Sequence, residues 1–221
     1  MRASEGAGGG LRAAAVILAA GRGSRLGGVA KALIRIGGIT LLQRLVEAVR
    51  GAGVDDVLVV TGHYHEAVER VALHCGARVV RNVDAASGQA SSVRLGLQHA
   101  DPRADALLLL LCDQPLIVPS DLVELLDAFV GRAAGEFLVP RVAQRGRGNP
   151  VLVSRRAVQA ILASDVYLAC RDYMDAHPDL VSYLDTHNDH YIVDIDQPQD
   201  LAAVQARLGR RVELPDTPAS A

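Results

Sequence analysis

An unbroken apolar run, Ala-Ala-Ala-Val-Ile-Leu-Ala-Ala over residues 13–20, ends abruptly at a turn rich in glycine and arginine. That junction limits what the chain can fold into. A strand with no polar alternation is buried on both faces, as in a parallel sheet. A glycine loop at the end of such a strand is how α/β proteins build phosphate sites. Gly21, Gly23, Gly27 and Gly28 let backbone N–H groups approach an anion. Arg22, Arg25 and Lys31 bring positive charge suited to a polyphosphate. Two common phosphate motifs fail here. Gly23 and Gly28 have the glycine spacing of the Walker A loop, but Val29 and Ala30 follow where Lys and Ser or Thr are needed. The dinucleotide pattern G-x-G-x-x-G starts at Gly21 and Gly23 but meets Leu26 where its third glycine belongs.

Composition narrows the class. The 221 residues suit one large α/β domain, and with 50% of them hydrophobic there is ample material for its core. A formal net charge of −2 argues against a general nucleic-acid binder. Cys75, Cys112 and Cys170 are odd in number and widely separated, which fits a reducing compartment and offers no zinc pattern. The only close histidine pairs, His63 with His65 and His187 with His190, lack Cys or Glu partners at ligand spacing and read as surface or loop residues, not as a metal site. Arg2, Arg12 and the run at 13–20 resemble a short signal peptide, but cleavage near Ala20 would destroy the glycine loop, so the expected location is cytoplasmic. No apolar stretch reaches membrane-spanning length.

Strand and helix patterns alternate along the chain, which predicts a three-layer, mostly parallel α/β fold. Residues 1–12 and 210–221 read as disordered tails around a single domain over 13–209. Within it, helices are expected at 40–50, His65–His74, 91–99, 121–130 (capped by Ser120), Arg155–Ala163 and from Pro198 to about residue 208. Strands are expected at 13–20, Val57–Thr61, 77–81, Ala106–Leu111, 137–140, 151–153 and finally 191–195.

Four further loops carry chemistry. In Cys112-Asp113-Gln114-Pro115, a carboxylate closes a buried strand where it could hold a divalent cation or simply open a turn. Asp194 and Asp196, two apart on an extended segment, share one side and could face one metal or donor group, while Asp196 could equally cap the next helix. Gly88, Ser91 and Ser92, with Asn82 upstream, form a small polar loop able to read a base or ribose at close range. Arg145, Arg147 and Asn149 form a basic turn that could receive an anionic co-substrate or be solvated.

In order, the motifs L-A-A-G-x-G-x-R-x-G…K, G-x-x-S-S, D-Q-P, R-G-x-P-V-L and D-I-D-x-P-x-D-L resemble those of the MobA-like nucleotidyltransferases, above all the molybdenum-cofactor cytidylyltransferase branch. The resemblance spans roughly residues 13–208. It implies a Rossmann-like three-layer α/β/α sandwich of the nucleotide-diphospho-sugar transferase type. It also implies transfer of a nucleoside monophosphate from an NTP to a phosphate-bearing acceptor, with Mg²⁺ (or Mn²⁺ in its place) and release of pyrophosphate. Leu18, Ala19, Ala20, Gly21 and Gly23 would then hold base and triphosphate, with Arg25 and Lys31 on the phosphates as catalytic cations. Asn82, Gly88, Ser91 and Ser92 would lie near base and ribose. Asp113 would be the principal metal ligand and Asp196 a second. Arg147, Asn149, Asp194 and Asp196 would form the acceptor side.

Family members with L-A-A-G tend to use cytidine, so Ala20 favours CTP, and the implied acceptor is a molybdopterin-type cofactor. A transient contact with a molybdoenzyme or its maturation chaperone is implied too, with no nucleic acid and no membrane. Three positions depart from the family pattern: Cys112 replaces a glycine, Asn149 replaces a histidine, and the segment 164–172 stands where molybdopterin cytidylyltransferases carry G-D-x-G-A-R. These changes bear on the acceptor. Alternative readings are a sugar- or alditol-phosphate nucleotidyltransferase, a glycosyltransferase using Asp194 and Asp196, and a non-catalytic molybdenum-cofactor delivery chaperone.

Overall fold

The computed structural model describes residues 10–164 and 170–215. Its main sheet is built on β1 (Ala13–Ala19), β4 (Val57–Thr61), β5 (Arg78–Arg81), β6 (Ala106–Leu111), β7 (Phe137–Val142), β9 (Val151–Ser154) and β10 (Val181–Thr186), in the order β10-β7-β9-β6-β1-β4-β5. The short β8 (Gly146–Arg147) pairs with β7. Every neighbour pair along that order is parallel except those of β9, which runs antiparallel to both β6 and β7.

The two faces divide the residues of β1 by parity, as a strand buried on both sides requires. Ala15, Ile17 and Ala19 face α1 (Leu41–Gly51), α2 (His65–His74) and α4 (Pro119–Gly131). Ala14, Val16 and Leu18 face α3 (Gln89–His99), α5 (Arg155–Ala163) and α6 (Cys170–Ala176). The result is the expected Rossmann-like three-layer arrangement.

Four expectations are corrected. In place of a last strand at 191–195, Asp189–Ile192 is a turn of 3₁₀ helix, and the edge strand is β10, ten residues upstream. Tyr191 is fully buried there, its hydroxyl donating to the Asp121 carbonyl (2.8 Å) and to Glu124 (2.9 Å). Its apolar bulk mimics strand periodicity while anchoring a loop. Ser120 does not cap α4: the helix starts at Pro119, and the Asp121 carboxylate accepts from the Val118 N–H (2.9 Å). Residues 210–221 are not wholly a tail, because Val212–Glu213 (β11) pairs with Arg35–Ile36 (β2). With Ile39–Thr40 (β3) they make a small second sheet. Asp196 does not cap α7 (Pro198–Leu208) either. Asp200 does, accepting from the N–H groups of Asp196 (2.8 Å) and Gln197 (2.7 Å).

A third apolar cluster joins α7 and the small sheet to the glycine loop: Leu26, Val29, Ile34, Ile36, Leu41, Ile195 and Val204. The loop after β1 is thus pinned from below by packed side chains. Residues 165–169 lie outside the described residues, so the departure from the family pattern at 164–172 is described only in part.

Candidate active site

Parallel β1, β4, β5 and β6 end on one edge of the sheet, and their loops surround a cleft of about 640 Å³. Chain connections leave β1 toward β4 on one side and reach β6 on the other, which is the point where open α/β sheets bind ligands. The glycine loop forms one wall. Gly23 has φ +60°, and a Cβ there would sit 2.0 Å from the Val29 carbonyl oxygen, so the loop folds back on itself only with glycine at that position. Tyr64 tightens the same turn, its hydroxyl donating to the carbonyls of Gly28 (2.5 Å) and Arg22 (3.1 Å). Gly21 is different: its φ is ordinary and an added Cβ would meet no protein atom. It lines the cleft, so the space it leaves faces a ligand and not a neighbouring chain segment.

Opposite stand the carboxylates. The Ile195 N–H donates to the Asp113 carbonyl (3.0 Å), which lays residues 193–196 across the end of β6. Lys31 sits between the two acidic segments, donating to Asp113 Oδ2 (2.9 Å) and to Asp196 Oδ1. Arg25 reaches Asp196 Oδ2 at 2.7 Å. Burial pulls the Lys31 ammonium down, but the Asp113 charge and the bonds to Asp196 and Asp113 outweigh it, and the net shift is upward. The Lys31 hydrogen bond holds Asp196 below the ordinary carboxylate range. Asp194 moves the other way, raised by burial and by the charges of Asp113 and Asp196. Three carboxylates therefore converge on a cleft that is also lined by three cations, Arg22, Arg25 and Lys31.

Asp113 Oδ1 is buried without a hydrogen-bond partner. An anionic oxygen in that condition calls for a cation. The donor set fits magnesium-type binding, in which one or two carboxylates share the ion with substrate phosphates. Among the described residues no group of three or more His, Cys, Asp or Glu forms a self-sufficient metal cluster, so such an ion depends on the substrate for its remaining ligands.

Of the residues singled out in the sequence, Leu18, Ala19, Ala20, Gly21, Gly23, Arg25, Lys31, Gly88, Ser92, Asp113, Asp194 and Asp196 line the cleft. Asn82 and Ser91 stand behind its wall. The buried Asn82 amide donates to the hydroxyls of Ser91 and Ser92 (2.9 Å each), and Ser91 itself donates back to the Gly88 carbonyl (2.8 Å). They shape the loop from within. Arg147 is turned to Asp175 (2.5 Å) and lies over the Tyr183 ring, outside the cleft. Asn149 also stands outside, its N–H on the Tyr191 carbonyl (2.8 Å) and its own carbonyl accepting from the Gln114 amide (3.1 Å).

Sequence reasoning passes over His63, Ala85, Ala86 and Gln89, which also line the cleft. The ends of β4 and β5 could have flagged them, since parallel strands present neighbouring loops on one edge. Gln114 likewise has no role of its own in the D-Q-P motif until the structure supplies one. Its buried amide also donates to the Tyr191 carbonyl (3.1 Å), tying the Asp113, Asn149 and 191–196 segments together.

A family model, the MobA-like NTP transferase domain, matches residues 15–181. The chain belongs to the MobA-like NTP transferase family. Nicotine blue oxidoreductase of Paenarthrobacter nicotinovorans is 31% identical over 194 residues, covering 84% of this chain and 93% of that protein. A nucleotidyl transferase from Methanothermobacter superposes with a TM-score of 0.74 at 27% identity, over 90% of this chain and 98% of that one. Rv0371C of Mycobacterium tuberculosis H37Rv, solved in complex with manganese, is 26% identical with a TM-score of 0.71, over 87% and 97% of the two chains. Bifunctional protein GlmU of Syntrophomonas wolfei is 32% identical over 53% of this chain, and the chain spans about a quarter of that protein (26%). Membership in the MobA-like family agrees with the cleft: a basic glycine loop facing carboxylates suits NTP chemistry. Among the described residues no helix is long and apolar enough to cross a membrane.

Proposed function

We propose that this protein transfers CMP from CTP to the terminal phosphate of a molybdenum-pterin cofactor and releases pyrophosphate. The observation that carries the reading is the Lys31 ammonium held between Asp113 and Asp196, beside an Asp113 oxygen that lacks any partner. In the reaction an acceptor phosphate oxygen forms a bond to the α-phosphorus, and the α–β bridging P–O bond breaks. Lys31 and Arg25 face the side on which pyrophosphate charge develops and stabilise it there. Asp113 and Asp196 would hold Mg²⁺, with Mn²⁺ in its place as in the Rv0371C complex. That ion supplies charge neutralisation and aligns the triphosphate for in-line attack. The acceptor phosphate is already ionised near neutral pH, so the site needs no general base. Asp194, kept closer to protonation by its neighbours, borders the acceptor's path.

CTP as donor rests on Ala20 in the L-A-A-G loop, and the pterin acceptor rests on the motif order. Asn149 belongs to the acceptor side through Gln114, and neither Asn149 nor Arg147 lines the cleft. The same reading makes the protein cytoplasmic, with a molybdoenzyme or its maturation chaperone as transient partner. A sugar- or alditol-phosphate acceptor uses the same donor site. A delivery chaperone would keep the cleft and lose the turnover.

The test is pyrophosphate release with Mg²⁺, each of the four NTPs and a molybdopterin-type acceptor. Release with CTP and that acceptor is expected. CTP binding without release moves the acceptor to another phosphorylated compound or turns the protein into a chaperone. Absence of NTP binding overturns the reading.

A further inference from the structure

Two donor side chains in the cleft are left unmatched. Lys31 and Arg25 are engaged by Asp113 and Asp196, whereas the Arg22 guanidinium and the His63 imidazole line the same cleft and bond to no described residue. The backbones that carry them run side by side. Gly62 comes directly after β4, and a Cβ there would lie 2.8 Å from both the Ala20 Cβ and the Ala20 carbonyl oxygen, so glycine lets the loops after β1 and β4 close on each other. The His63 N–H then points to the Ala20 carbonyl (3.4 Å), and the Tyr64 hydroxyl donates to the Arg22 carbonyl (3.1 Å). Arg22 and His63 therefore stand on neighbouring stretches of one wall. Gly21 beside them offers bare backbone, since an added Cβ there would meet no protein atom within 4 Å.

Charge says what such a wall takes. Lys31 and Arg25 share the cleft with three carboxylates, two of which they bond directly, so they leave no surplus of positive charge for a polyanion. Arg22 is the lining cation that no carboxylate offsets. A guanidinium has five donors and no acceptor, and its strongest partners are anionic oxygens. The His63 ring adds a further N–H donor beside it. A nucleobase carries no charge, and the acceptor's phosphate enters past Asp194, at the Asp113 end. The terminal phosphates of the donor are the anion left for this wall.

We infer that His63 is a further substrate-binding residue: its imidazole joins the Arg22 guanidinium in holding the terminal phosphates of the triphosphate from the β4 side of the glycine loop. Lys31 and Arg25 meet the same phosphates from the Asp113 side. The His63 contact is made equally to bound donor and to the pyrophosphate it becomes, so it adds affinity for both and little to the rate of the chemical step. A nucleoside monophosphate does not reach it. The inference rests on the reading of this cleft as an NTP site.

The experiment is calorimetric titration of the full chain with CTP, CMP and inorganic tripolyphosphate in Mg²⁺. The wild type, His63→Phe and His63→Gln are compared. Phenylalanine keeps a flat ring of similar size and removes the donor, while glutamine keeps a donor. His63→Phe is expected to lose about tenfold or more in affinity for CTP and tripolyphosphate, the scale of one hydrogen bond to a charged group, with CMP unchanged. His63→Gln is expected to stay within about threefold of the wild type for all three. An equal loss for CTP and CMP would place His63 on the nucleoside and overturn the inference. Unchanged CTP and tripolyphosphate binding in His63→Phe, or a glutamine variant as weak as the phenylalanine one, overturns it as well, and all three results leave the NTP site standing. A wild type that binds tripolyphosphate but not CTP brings down the choice of CTP, and the tripolyphosphate ratio then decides on His63 alone. A wild type that binds neither brings down the functional reading beneath it.

Discussion

Replacing Lys31 changes more than one charge, because its ammonium separates two carboxylates that otherwise face each other. Lys31→Met is expected to lower nucleotidyl transfer by about 10²–10³-fold, the usual loss for one electrostatic contact to a developing oxyanion. A pyrophosphate-release assay checks this, and a rate within about threefold of wild type would remove Lys31 from the chemistry. Asp113→Asn is expected to abolish turnover at every Mg²⁺ concentration, because the amide presents a weaker ligand and a donor where only an acceptor fits. The cysteines offer a contrast. Burial pushes the Cys170 thiol up to about 12, raises Cys112 well above the ordinary thiol range, and raises Cys75 as well. Thiolate is the reactive form, so the buried Cys170 is expected to resist maleimide-type labelling at neutral pH until the chain is unfolded. Mass spectrometry of the native protein after labelling reads this directly, and rapid modification of Cys170 would show that the packing around α6 opens.

Asp200 shows how a helix end can place a functional group. Its carboxylate accepts from the N–H groups of both Asp196 and Gln197, so the start of α7 and the backbone of Asp196 are held by one side chain. Asp200→Ala is expected to cost about 1 kcal/mol in urea unfolding, as for the loss of a helix cap. It should also weaken metal–nucleotide binding, since Asp196 loses its backbone anchor. A stability loss with unchanged nucleotide affinity would confine Asp200 to the helix.

At this same level it becomes clear which parts of the fold the residues announce. The ends of β4, β6, α2 and α5 are set by apolar runs and caps alone. β10 escapes notice because Val181–Thr186 is half-exposed and ends in Asp and Thr, which reads as a loop. Tyr191 misleads in the opposite sense, since full burial in a 3₁₀ turn looks like strand periodicity. In the cleft, charged residues and glycines are legible because their chemistry is distinctive. Ala85, Ala86 and Gly62 are not, since small apolar side chains carry no chemical mark and matter only through what they pack against.

Across the molecule, several surface carboxylates are bound by arginine and titrate low. Hydrogen bonds from Arg103 bring Asp101 from 3.8 to about 2, and Arg81, Arg141 and Arg207 lower Glu69, Asp185 and Asp189 in turn. A carboxylate held below its unfolded value stabilises the native state above the ordinary carboxylate range. That stabilisation is lost as pH falls through the folded value. Stability is therefore expected to decline between about pH 4 and pH 2. Asp194, raised instead, works with the opposite sign but stands against these four and the lowered Asp196. Urea midpoints taken near pH 6, 4 and 3 measure the trend, and Asp101→Asn should make the acid limb shallower. A flat profile would mean that these pairs persist equally in the unfolded chain.

The pairing of Val212–Glu213 with Arg35–Ile36 has a practical edge. A chain trimmed after Gly209, on the view that the remainder is a dangling end, would lose a strand from the ribbon that begins four residues beyond Lys31. A weaker hold on nucleotide in such a shortened chain would measure the scissors and not the domain. A purification handle joined directly after Glu213 would pull on the same ribbon, so handle and cleft are best kept apart by a spacer.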